Sequence, residues 1–145
     1  MDGRANRRRG REDRGLASPR VVTYLLRGGY TVIAGKTDAD NDELSLQVAG
    51  PNDFWFHVRG MPGSHVILRC QRAAGPDRET LKAAAAIAAY HSKARGAGVV
   101  AVSCTRARFV TKPRGARPGT VEIRKEIVLK VRPGLGDAVE QAGSG

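Results

Sequence analysis

Two cysteines, one tryptophan, three phenylalanines and three tyrosines in 145 residues set the first limits on this chain. Cys70 and Cys104 stand apart, with no C-x-x-C spacing and no histidine at ligand spacing. They read as buried free thiols, so neither a zinc site nor a disulfide framework is expected. No metal or cofactor is called for. The chain also lacks any apolar run near the roughly 20 residues that a membrane-spanning helix needs, and its N-terminus lacks the hydrophobic segment of a secretory signal. The expectation is a soluble, cytoplasmic protein without membrane association. Catalytic signatures are missing as well: there is no GxSxG, HExxH, Walker loop or GxGxxG, and no paired carboxylates in the central stretch. These absences favour a binding module over an enzyme.

What the chain has in excess is positive charge. Lys and Arg number 25 against 14 Asp and Glu, a net +11 with a pI near 10.6. That balance suits a polyanionic partner, nucleic acid first and an anionic membrane second. Nineteen of the basic residues are Arg, which fits guanidinium recognition of phosphates and bases and equally fits a GC-rich genome. The length suits a single domain with its own core.

Residues 1–20 hold seven Arg, three acids and almost nothing apolar, so they read as a disordered basic arm. Its Glu12 and Asp13 count against a mitochondrial presequence. From Val21 the runs VVTYLL and YTVIAG flank Gly28-Gly29, a hairpin signal. The following KTDADNDELSLQV crowds acids, but a calcium loop starting at Asp38 would need Gly and Glu where Glu43 and Ala49 stand. It is read as an acidic loop capping the element after it.

The stretch Asp53 to Arg69, DFWFHVRGMPGSHVILR, gathers the single Trp and two of the three His around a Pro-Gly turn. Alternation along a strand puts Phe54 and Phe56 on one face, Trp55 and His57 on the other. Two readings stay open: a hairpin with Trp and His in the core, or a half-exposed ring beside turn amides and a hydroxyl able to hold a phosphate. Residues 75–98 form the one long helix, with Asp77 as N-cap and an alanine face for close packing on a sheet. Arg78, Lys82 and Lys93 fall on one side as a basic stripe, which a merely solvated face would also explain. VVAVSC is a short strand. Between Arg106 and Arg132 lie nine basic residues and two acids, a net +7, and the segment KPRGARPG presents Lys112, Arg114 and Arg117 for tracking phosphates. From Thr120 onward, alternation predicts a strand or hairpin with one wet face. The folded domain is placed at 21–133, in an α+β class of antiparallel strands packed by one Ala-rich helix, and 134–145 is read as a disordered tail.

The run NDELSLQVAGPNDFWFHVRGMPGSHVILR, the helix end AAYHSKARGAG and the later VTKPRGARPGTVEIRKEIVLKVRP resemble the RNA-binding domain of the NFACT family over about Val21 to Pro133. The resemblance implies a domain that contacts tRNA or rRNA, in a family whose larger members act in ribosome quality control on the large ribosomal subunit. It carries Trp55, His57, the PGSH turn, Lys93, Arg95 and the KPRGARPG loop as shared motifs. The family's other parts are not in this sequence, so a stand-alone module is expected, and the larger members' support for tailing stalled nascent chains is not carried over. Ser103 and Cys104 stand where the family tends to have Asp-Tyr. The candidate RNA-binding set is therefore Trp55, His57, Arg59, Gly63, Ser64 and His65 in the central stretch, Arg78, Lys82, Lys93 and Arg95 along the helix, and Lys112, Arg114 and Arg117 in the loop. Two alternatives remain: an RNA-processing or modifying enzyme pairing His57 and His65 across the hairpin, and an adaptor for an unknown protein partner.

Overall fold

The opening hairpin forms as its glycines imply. Val21–Leu25 (β1) and Thr31–Gly35 (β2) pair antiparallel, and Gly28 and Gly29 turn the chain at φ of 92° and 88°, a region L side chains avoid. The structure is a computed structural model that describes residues 18–70 and 75–142. The basic arm before residue 18 lies outside them.

The acidic segment is not a loop. Asp38–Glu43 (α1) is a short helix that runs into a π turn at Leu44–Val48. Thr37 caps it: its hydroxyl accepts from the Asp40 N–H at 3.1 Å while the Asp40 carboxylate accepts from the Thr37 N–H at 3.1 Å. This reciprocal capping box is a start signal that a simple count of acids hides.

Phe54–Val58 (β3) and Val66–Leu68 (β4) make the central hairpin, and the long helix Arg78–Tyr90 (α2) follows. Val100–Arg106 (β5) leads through a 3-10 turn at Ala107–Phe109 into Val110–Thr111 (β6). Glu122–Ile123 (β7), Ile127–Val131 (β8) and Val139–Glu140 (β9) complete the chain. Seven strands form one antiparallel sheet in the order β8-β5-β3-β4-β2-β1-β9, while β6 and β7 pair separately. The architecture is the expected α+β domain.

Two layers cover the sheet. Ala84, Ala85, Ile87, Ala88 and Ala89 of α2 lie buried on one face against Phe56, Val58, Val66, Leu68, Val102 and Leu129. Methyl side chains let the helix backbone approach the strands closely. The opposite face carries Trp55 and Ile67, under Leu44, Ala49, Ala107 and Val110 from the α1 segment and the 3-10 turn and strand that follow β5. The alternation read from FWFHV therefore holds, with a second core where a wet face was a live option.

Two boundaries differ from the sequence reading. Helix α2 stops at Tyr90, with His91 as C-cap, so Lys93 and Arg95 sit in the turns beyond it and the three-cation stripe does not form. Within the described residues the segment after Pro133 is not a disordered tail: Leu135 and Ala138 pack on the α2 core, and β9 pairs with β1. A few apolar residues spread among glycines were enough, because β1 offered an unpaired edge.

Candidate nucleic-acid interface

The central stretch holds a buried polar chain rather than an open aromatic platform. Trp55 is 3 % exposed, and its Nε1–H donates to Ser45 Oγ at 3.0 Å. Ser45 Oγ meets His65 Nδ1 at 2.8 Å, and His65 Nε2 meets the Gly119 carbonyl at 3.1 Å. A carbonyl can only accept, so Nε2 carries the proton and Nδ1 accepts from the Ser45 hydroxyl. Each donor then has one acceptor, from Trp55 through Ser45 and His65 to Gly119. Of the two readings left open, the core one forms, and Trp55 is corrected as an RNA-contacting ring: the layer supplied by α1 and its π turn covers it, leaving no face for a base.

His57 and His65 do come together, with ring centroids 5.6 Å apart at 83°. Burial lowers the pKa of both, that of His65 to about 4, where the neighbouring His57 adds to the effect. Both are neutral at pH 7. With both nitrogens of His65 engaged and the residue 2 % exposed, it has no route to pass a proton to a substrate.

The PGSH turn is likewise committed. The Ser64 N–H donates to the His91 carbonyl at 2.9 Å and its hydroxyl donates to the Gly35 carbonyl at 2.6 Å. Gly63 bridges to Ser92, and the Lys93 N–H donates to the Pro62 carbonyl at 3.2 Å. The amide and hydroxyl of Ser64, offered from sequence as phosphate donors, instead pin the turn to the end of α2. One consequence is that Lys93 and Arg95 stand beside the turn. With Lys36 they line a cleft of about 440 Å³ that also includes Ser64, Ser92 and Asp38. Arg95 is held there by its Nε–H to the Tyr90 carbonyl at 2.6 Å and by its guanidinium 3.8 Å over the Tyr90 ring.

The KPRGARPG segment is the tip of the β6–β7 hairpin. Lys112 does not project from it as expected: its Nζ lies 3.0 Å from Asp42 Oδ2 and donates to the carbonyls of Arg117 and Thr120, the latter at 2.9 Å. The Gly119 N–H donates to Asp42 Oδ1 at 3.0 Å. Asp42 of α1 thus gathers both ends of the loop, and His65 holds Gly119 from below. Arg114 and Arg117 remain exposed and have no acidic partner among the described residues.

At the turn, Arg59 is about half exposed and meets Glu126 only at 3.9 Å. Glu126 also accepts from the Ser103 hydroxyl, so Ser103 keeps a polar role here. Cys104 beside it is an inert thiol, its pKa pushed up to about 12 by burial. Arg78 and Lys82 lie in the first turns of α2, about 12 to 18 Å along the helix axis from its Tyr90 end. The turn, Lys93 and Arg95, and the Gly119 side of the loop meet around His65 and His91; Arg78 and Lys82 stand apart. Sequence reading missed Phe109, which has Arg108 5.1 Å and Arg124 5.5 Å from its centroid. The alternation of Arg with Phe in RARF was the available signal. Among the described residues no group of three His, Cys, Asp or Glu side chains gathers as a metal site, and no helix is long and apolar enough to cross a membrane.

A two-faced antiparallel sheet, with one helix behind it and a cation-bearing hairpin locked in front, defines the class: a small α+β module that carries exposed cations on its outer hairpin. The sequence pattern of the NFACT protein RNA binding domain matches residues 20–125, and the chain belongs to that family. Rqc2 homolog RqcH of Bacillus subtilis (strain 168) is 37% identical over 130 residues, 90% of this chain and 22% of that protein. Rqc2 homolog RqcH of Streptococcus suis (strain 05ZYH33) is 40% identical over 111 residues, 76% of this chain and 20% of that one. A solved structure, the C-terminal of the fibronectin/fibrinogen-binding protein from Streptococcus suis, superposes with a TM-score of 0.73 at 36% identity, covering 81% of this chain and 46% of that chain. The chain spans about a fifth of the length of the curated relatives it matches.

Proposed function

We propose that this domain binds tRNA or rRNA through the outer hairpin and the adjoining turn, in the cytoplasm, as part of a ribosome-associated quality-control process on the large subunit. Family membership supports RNA as the ligand, and the relatives named as Rqc2 homologues support the process. The observation that carries the reading is the loop itself. Arg114 and Arg117 stand exposed, with no acidic partner among the described residues, on a backbone that Asp42, Lys112 and His65 hold in one shape. A loop backbone already held in one shape leaves only the two side chains to be ordered on meeting phosphates. Arg59, Lys93 and Arg95 extend the positive surface past the turn. Trp55 is closed off, so recognition rests on phosphates and on RNA shape.

The test is titration of the full chain into fluorescently labelled tRNA and a large-subunit rRNA fragment, followed by anisotropy. Arg114→Ala/Arg117→Ala should weaken binding at least tenfold at moderate salt while leaving the melting temperature in place. Unchanged affinity in that variant contradicts the assignment of the loop. Co-sedimentation with large subunits tests the ribosomal part; recovery only in the RNA-free fraction contradicts it.

A further inference from the structure

Beside the basic hairpin lies a second cavity, of about 310 Å³, between the π turn and β6. Leu46, Ala107 and Val110 wall it, and Arg108 and Thr111 stand at its edge. Gln47 lines it too, and the Gln47 side-chain oxygen is enclosed and accepts no hydrogen bond among the described residues. An acceptor taken from water without a donor destabilises the fold, so such a group calls for a ligand or a water that brings an N–H or O–H. Arg108 is no loose cation: its guanidinium donates to Asn52 Oδ1 at 2.9 Å and packs over Phe109. Apolar walls beside one side-chain amide match what an unpaired nucleobase meets in RNA-binding sites, where it is covered on its faces and hydrogen-bonded along one edge.

We propose that this cavity is a nucleobase slot. It takes one unpaired base, whose edge N–H or amine donates to Gln47 Oε1 once the amide turns about its soft terminal torsion. The slot deepens the RNA-binding reading and rests on it. Lys112 borders both the cavity and the base of the loop, so the base belongs to the strand whose phosphates pass Arg114 and Arg117. The loop would then supply affinity for any RNA, and the slot a preference for RNA with an unpaired nucleotide.

The probes are a labelled single-stranded 12-nucleotide RNA and a blunt 12-base-pair RNA duplex, each titrated with the full chain as wild type and as Gln47→Met. Methionine keeps the length and removes the amide. The variant is expected to bind the single strand about five- to tenfold more weakly, corresponding to loss of a base-edge contact. Duplex binding and the salt dependence should not change, and the melting temperature should hold or rise because an unsatisfied acceptor is gone. That combination does not arise from a merely structural role. If the wild type binds the duplex and Gln47→Met leaves single-strand affinity unchanged, or weakens both probes alike, the slot is overturned while the loop stands. If the wild type binds neither probe nor tRNA, the RNA-binding reading fails and the slot with it.

Discussion

The Ser45 hydroxyl receives the Trp55 indole N–H and donates to His65. Ser45→Ala therefore strands a buried donor and a buried acceptor together, at a cost of roughly 2 to 4 kcal/mol. Chemical denaturation should show a lower midpoint with an unchanged slope; a change under 0.5 kcal/mol, roughly the scale of an exposed substitution, contradicts the chain. Acid should attack the same place. His65 is held at a pKa of about 4, below the ordinary histidine value of 6.5, so the unfolded chain takes up a proton that the folded one refuses. Stability is fully present above pH 6.5 and declines as pH falls toward 4, by at most on the order of 3 kcal/mol. His57, also lowered by burial, adds to the loss in the same direction. Urea midpoints at pH 7 and 4.5 measure it, and a His65→Gln variant should show a smaller difference between them. Gly63 is the third sensitive position: a Cβ there would sit 2.7 Å from the Ser92 Cβ. Gly63→Ala should lower stability by about 1 to 3 kcal/mol, because both partners belong to pinned turns.

Helix α1 and the β6–β7 loop form one unit, and Asp42 is where they join. Simple electrostatics says that removing an acid from a basic surface strengthens RNA binding. The geometry predicts the reverse for Asp42→Asn. Lys112 and the Gly119 amide lose the carboxylate that gathers them, the loop loosens, and ordering it on RNA costs affinity. Binding should weaken about three- to tenfold, measured by anisotropy, although the net charge rises by one; tighter binding contradicts the role given to Asp42. The elements were unevenly legible. Asp77 before an alanine run announced α2, and Gly28-Gly29 announced the first hairpin. The end of α2 was missed because His91 and Lys93 keep helical company in sequence, whereas pairing with the PGSH turn stops the helix at Tyr90. Helix α1 was legible only through Thr37 and Asp40, since six residues carry too little periodicity to outweigh a run of acids.

Across the whole molecule, the sheet has a core on each side, and the outer one decides the site. Sequence alternation separated Trp55 and His57 from the two phenylalanines without revealing what would cover them. That cover comes from segments about 10 and 50 residues away along the chain, a long-range arrangement that local pattern does not record. The charge reading fared better, because net charge is a property of composition: the excess between Arg106 and Arg132 does lie on an exposed hairpin and the strand beyond it. What composition left open was which cations are free. Lys112 is bound within its own loop, Arg95 is stacked on Tyr90, and Arg114 and Arg117 have no acidic partner among the described residues.

The most direct test of that division is the salt dependence of tRNA binding. The logarithm of the association constant, plotted against the logarithm of salt concentration from about 50 to 200 mM, has a slope set by the number of phosphates neutralised. Arg114→Ala/Arg117→Ala should make that slope shallower by about 1.5 to 2 and lower the affinity at every salt concentration. A slope and affinity equal to those of the wild type would place the RNA elsewhere on the molecule and contradict the loop as its contact.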